Sequence, residues 1–224
     1  MITLEEKFYK SLDGEKKFLF EKYVDLLIRW NEKFNLTAIT EPSEINVKHF
    51  ADSIAAVDYC NGSLLDIGAG AGFPSVPLKI IKPSLNVTMA DSLNKRVNFL
   101  NEVIKELKLE RTAAVHIRAE EIKEREKYDT VVARAVAPLS TLAEYMLPFV
   151  KVGGKAIAYK SSDVEDELKQ AEKAIEVLGG EKAQIIKMKL TDEIERSIVI
   201  ITKKKNTPSK YPRAGNKPRT NPIK

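Results

Sequence analysis

The stretch Leu64-Leu65-Asp66-Ile67-Gly68-Ala69-Gly70-Ala71-Gly72-Phe73-Pro74 runs from a short apolar segment into three glycines at alternate positions. The pattern predicts a strand, a tight turn and a helix through Val76 to Ile81. Glycine reaches backbone angles closed to other residues and lets a ligand approach the main chain. In open α/β sheets such a loop lies at the carboxyl end of a strand, where ligands bind. A dinucleotide fingerprint, G-x-G-x-x-G, would require glycine at position 73, where this chain has Phe73. The spacing is instead G-x-G-x-G, preceded by Asp66. Taken alone, the same pattern also describes a plain strand-to-helix turn.

Working outward, short apolar runs alternate with helical segments from Ser63 onward. Strands are predicted at Leu64–Ile67, Asn86–Asp91, Ala113–Ile117, Tyr128–Ala133 and Ala156–Lys160, then at Gln184–Leu190 and Ser197–Thr202. Helical spacing covers Asn94–Leu107 and Val164–Leu178, the latter stopped by Gly179-Gly180. The final two strands are joined only by Thr191–Arg196, too short for a parallel crossover, so they form an antiparallel pair. Ahead of all this, Glu15 to Trp30 is amphipathic and helical, and a short helix is predicted around Val47 to Val57 after the break at Pro42. The fold class is therefore α/β, a Rossmann-like, mostly parallel sheet of seven strands with the last pair antiparallel. Residues 1–60 form a helical extension packed on the catalytic domain, 61–202 form that domain, and 203–224 form a basic, proline-rich tail.

Composition limits the function. The 224 residues carry 37 Lys+Arg against 32 Asp+Glu, a formal net charge of +5. Eight of the basic groups fall in residues 203–224, which hold no acid, so residues 1–202 are at −3. With four of the ten prolines, the tail is expected to be extended or disordered in isolation and to track phosphates. A single cysteine, Cys60, excludes an internal disulfide, and two histidines give little basis for a metal centre. No run of about 20 apolar residues spans a bilayer, and MITLEEKFYK has no signal-peptide core. A cytoplasmic monomer without metal or membrane attachment is expected.

The D-x-G-x-G-x-G loop resembles the first motif of Rossmann-like S-adenosylmethionine-dependent methyltransferases. A sulfonium ligand lacks a pyrophosphate and depends less on a helix-terminus anion site. Asp91 ends a strand 25 residues after Asp66, where a ribose-binding acid belongs, and its oxygens can accept from both ribose hydroxyls. The loop Arg118-Ala119-Glu120-Glu121 borders the adenine in this superfamily; alone it reads equally as a helix start. After the fourth strand, Ala133-Arg134-Ala135-Val136-Ala137-Pro138-Leu139 lacks the (N/D)-P-P-(Y/F) motif of base-amine methylation. Cys60 lies before the cofactor loop, unsuited to nucleophilic attack on a pyrimidine. An acceptor that is already nucleophilic remains, such as guanine N7, which needs positioning more than a base.

Several blocks together resemble the bacterial 16S ribosomal RNA guanine-N7 methyltransferases, the glucose-inhibited division protein B family. They are Trp30-Asn31 with Asn35-Leu36-Thr37, His49-Phe50-Ala51-Asp52-Ser53, the loop with its Phe73-Pro74, Arg118-Ala119-Glu120, Ala133–Ala137, and Tyr211-Pro212-Arg213 with Asn221-Pro222-Ile223. The resemblance implies methyl transfer from S-adenosylmethionine to a guanine N7 of 16S rRNA, as RNA or as small subunit, near the decoding region. It places cofactor contacts on Gly68, Phe73, Ala119, Glu120 and Arg134, with Asp91 and Ser92 near the ribose; Asp66, Ala69 and Gly70 belong to the same loop site.

Asn31, Asn35, His49 and Asp52 are candidates for the acceptor pocket, although hydrogen bonds tying the extension down account for the asparagines equally well. Lys160, Arg196, Lys210, Arg213, Lys217 and Arg219 are candidate RNA contacts. A small-molecule methyltransferase would share the loop but not the tail or the Trp30 block. A non-catalytic RNA-binding protein would leave the loop idle.

Overall fold

Alternate residues of the central strands are buried in two different cores, as a sheet covered on both faces requires. Leu64, Val132, Ile157 and Ile198 enter one core, whereas Leu65, Val131, Ala156 and Val199 enter the other. The computed structural model describes residues 2–223; Lys224, counted in the basic tail, lies outside them.

The chain begins with α1 (Leu4–Ser11), closed by a Thr3/Glu6 capping box, and α2 (Gly14–Phe34), which stops where Asn35 turns left-handed at φ 47°. The helix expected around Val47 is longer and irregular. It starts as α3 (Pro42–Ile45), widens to a π-helical turn over Asn46–Ala51 and tightens to 3₁₀ over Ile54–Tyr59. Next come β1 (Ser63–Ile67), α4 (Ser75–Ile81), β2 (Asn86–Asp91), α5 (Asn94–Glu106) and β3 (Thr112–His116). The second half holds β4 (Tyr128–Arg134), α6 (Leu139–Met146), β5 (Val150–Lys160), α7 (Glu165–Val177), β6 (Gln184–Lys189), β7 (Glu195–Thr202) and the short α8 (Lys217–Thr220).

The seven strands lie in the order β3-β2-β1-β4-β5-β7-β6. β1 through β5 are parallel, and β7 inserts antiparallel between β5 and β6. Chain direction around the sheet reverses between β1 and β4, so their carboxyl ends part and leave a crevice.

The N-terminal helices share the core of α4 and α5. Five aromatic rings join them to the domain: Phe50 lies 4.8 Å from Phe20, 5.2 Å from Tyr23, 6.0 Å from Phe73 and 6.2 Å from Phe8. Tyr23 donates its hydroxyl to the Ala71 carbonyl in the glycine loop. A Cβ at Gly72 would sit 2.7 Å from that same hydroxyl, so the third glycine is what lets α2 close on the loop.

In the folded chain the tail, expected to be extended or disordered in isolation, is docked on the domain. Lys203 is buried, donating to the Leu147 carbonyl and to Thr207. Arg125 donates to the carbonyls of Thr207 and Tyr211, and Thr141 to that of Pro218. The acids that neutralise the tail are supplied by distant parts of the chain.

Phe50→Ala should cost about 3–5 kcal/mol, the range for truncating a buried phenylalanine. Denaturant unfolding at a constant slope checks the size. A loss below 1 kcal/mol would show that the aromatic cluster does not carry the junction.

Candidate functional site

The crevice between the parted strands holds a cleft of about 150 Å³, bordered by Gly68, Asp91, Ser92, Ala119 and Glu120 among others. The loop is hung from β2: the amides of Gly68 and Ala69 both donate to the Ala90 carbonyl, at 2.8 and 3.2 Å. Asp91, 2% exposed, accepts from the Gly70 amide at Oδ2 and from the Leu93 amide at Oδ1, each at 2.9 Å. Oδ2 also accepts from Arg96 Nη1 at 3.5 Å, whereas Oδ1 retains lone-pair capacity for a further donor. A ribose hydroxyl fits that capacity, and the Ala119–Glu120 turn bounds the space a base would fill. The donor set suits a nucleoside.

Other loop residues are not on the cleft wall. Ala69 and Phe73 are buried inside the loop. Asp66 shares the strand face of Leu64, so its side chain points toward α4 and accepts from the Ser75 amide at 3.3 Å. Its Oδ1 has no protein partner, and burial pushes its pKa up to about 7. Direct contact between Asp66 and a ligand in the cleft is not what the structure has.

A second cavity, about 620 Å³, adjoins the first, and Val136 lines both. Five candidates from the sequence meet here: His49, Asp52, Arg134, Lys160 and Arg196. Asp52 accepts from Arg134 Nη1 at 2.7 Å and from Arg196 Nε at 3.0 Å, tying the helical extension to β4 and β7. Arg134 also lies 5.0 Å above the Phe73 ring, on which His49 stacks at 4.4 Å. An arginine only donates, so His49 Nδ1 accepts from Arg134 Nη2 (3.2 Å) and its Nε2–H donates to Thr37 (2.8 Å). Burial and the Arg134 charge push its pKa down to about 4. His49 is therefore neutral at pH 7 with both nitrogens engaged. It helps to hold Arg134 in place.

Lys160 also lines this cavity, donating to Glu167 at 2.6 Å and to the Ala137 carbonyl at 3.1 Å. On the wall of this cavity Ala135 is held left-handed at φ 57°, a conformation costing about 1–2 kcal/mol for a residue with a Cβ.

Asn31 accepts from the Thr37 amide at 2.9 Å, and Asn35 caps α2 from an exposed position; neither lines the acceptor cavity. Lys210 and Lys217 are exposed, whereas Arg213 is bound to buried Glu144. Arg219 donates to the Val136 carbonyl and lines the nucleoside cleft with Asn216. Sequence reasoning passed over Thr37, Glu167 and Asn216, since a threonine in a turn, an acid early in a helix and a tail asparagine carry no signal alone.

Asp66 yields a test of stability against pH. Its folded pKa is above the unfolded value, so ionisation opposes folding, and stability falls as pH rises from about 4 to about 7. Asp66→Asn should gain most over the parent at pH 8 and lose that advantage near pH 4, by up to about 1.4 kcal/mol per pH unit. Chemical denaturation at both pH values measures it; an advantage independent of pH would refute the assignment.

Residues 16–199 match the family model described as GidB, rRNA small subunit methyltransferase G. The protein called ribosomal RNA small subunit methyltransferase G in Desulforamulus reducens is 52% identical over 222 residues, covering 95% of this chain and 92% of that one. Its Bacillus subtilis counterpart is 50% identical over 222 residues, covering 95% and 93%. Among solved structures, an Aquifex aeolicus SAM-dependent methyltransferase superposes with TM-score 0.55 at 16% identity, over 72% of this chain and 93% of that one, a likeness of fold. With glycine loop, twin cavities and long matches in agreement, this chain belongs to the rRNA small subunit methyltransferase G family.

Proposed function

We propose that this chain transfers a methyl group from S-adenosylmethionine to N7 of a guanine in 16S ribosomal RNA. Family membership supports the reaction. The observation that carries it here is a nucleoside cleft sharing one wall residue, Val136, with a cavity bordered by Lys48, Arg134, Lys160 and Arg196.

When bound, the cofactor supplies a methyl group on a positively charged sulfur. Gly68, Asp91 and Ser92 hold the ribose end, and the Ala119–Glu120 turn the base. Guanine N7 has its lone pair in the ring plane and carries no proton, so no general base is needed. The neutral, fully bonded His49 accords with that.

Arg196 and Lys160 take the flanking phosphates, each already oriented by an acid. Among the described residues no helix is long and apolar enough to cross a membrane, and no group of three or more His, Cys, Asp or Glu residues could hold a metal. The enzyme works in the cytoplasm on rRNA or the small subunit.

Labelled S-adenosylmethionine with unmodified 16S rRNA or small subunits should give one methylated guanine, mapped by mass spectrometry. Labelling of a small metabolite with none in RNA would overturn the reading. A Cβ at Gly70 meets only the Gly68 carbonyl, at 3.9 Å, but φ is +60°. Gly70→Val should therefore fold, at a cost of about 1–2 kcal/mol, and lose cofactor binding by calorimetry.

A further inference from the structure

The C-terminal segment forms part of the nucleoside cleft. Asn216 and Arg219 line it together with Asp91, Ser92, Ala119 and Glu120. They are held there by contacts to the body of the domain. The Arg213 backbone amide and its Nη2 each donate to the Glu144 carboxylate at 2.7 Å, with Nε at 2.9 Å, and Glu144 is 0% exposed. Thr141, one turn earlier on α6, donates to the Pro218 carbonyl at 3.0 Å. Arg219 Nη2 then reaches the Val136 carbonyl at 3.1 Å, at the wall shared by the two cavities.

We propose that Asn216 and Arg219 are cofactor-binding residues at the nucleoside end of the cleft, and that the Glu144–Arg213 pair positions them. The proposal rests on the cofactor reading above. Its chemical basis is the donor supply. A guanidinium carries five N–H donors and no acceptor, and the Val136 carbonyl occupies one. An asparagine adds two donors and an acceptor. The ribose oxygens and purine ring nitrogens of a nucleoside are the acceptors that such a wall recognises. Asn216 and Arg219 are exposed, as Lys210 and Lys217 are, but only the first two stand on the cleft wall.

This division reverses what composition implies. A basic, proline-rich arm devoted to phosphates could be removed without loss of cofactor affinity. A segment that walls the cleft could not.

Calorimetry with S-adenosylmethionine and S-adenosylhomocysteine on four full-length proteins tests it: the parent, Asn216→Ala with Arg219→Ala, Glu144→Gln, and Lys210→Ala with Lys217→Ala. The Asn216/Arg219 variant should bind both ligands about tenfold more weakly or worse, as expected for lost hydrogen bonds. Its unfolding midpoint without ligand should stay near that of the parent. Glu144→Gln should weaken both ligands and raise hydrogen exchange across 207–223, with added cofactor restoring protection. The Lys210/Lys217 variant should keep parental cofactor affinity and bind an rRNA fragment more weakly.

Parental cofactor affinity in the Asn216/Arg219 variant, with RNA binding reduced, would overturn the proposal and return the segment to RNA. Should Glu144→Gln fail to fold, the Asn216/Arg219 variant decides alone. Failure of the unaltered protein to bind either ligand would refute the cofactor reading itself.

Discussion

One carboxylate holds three parts of the molecule together. Asp52 comes from the irregular helical run of the extension, and its two oxygens take guanidiniums from the end of β4 and the start of β7. Removing such a group from water is expensive, and the cost is recovered only when every oxygen finds a good partner. Two arginines provide that, so the acid is fully engaged and the arginines are fixed relative to each other. Phe73 beneath Arg134 and His49 beside it complete the arrangement. The acceptor cavity has a definite shape because these charges are mutually satisfied.

The same pairing governs how the cavity presents positive charge. Arg134, Arg196 and Lys160 each meet an acid before any nucleic acid arrives. An oriented, half-neutralised cation gives less long-range attraction than a free one but loses less side-chain entropy on binding. The cavity thus holds its cations in place, while Lys210 and Lys217 lie exposed on the surface.

The parallel sheet was legible because β-strands here are short, apolar and punctuated by glycine. β2 matches its sequence boundaries, and the Gly68–Gly72 turn leads into α4 as its spacing requires. Arg134 could not be read that way: an arginine after a buried strand becomes informative only when Asp52, 82 positions away, is seen beside it. The docking of the tail was not legible for a related reason. Its composition is that of an unstructured arm, and composition sees only neighbours in the chain. Glu144 and Glu126, which neutralise and anchor it, lie 69 and 81 residues from their partners Arg213 and Thr207. Asn31 and Asn35 illustrate a third limit. Four-residue spacing put them on one helix face, but a left-handed residue at the helix end decides what they do.

Ala135 and Val136 follow β4 at the seam of the two cavities, Val136 lining both and Ala135 the larger one. That seam is a frame of main chain and one aliphatic side chain, with no reactive group of its own. Enzymes of this architecture that act on other acceptors would therefore be expected to differ first in these few positions after β4, and only secondarily in the cavities on either side.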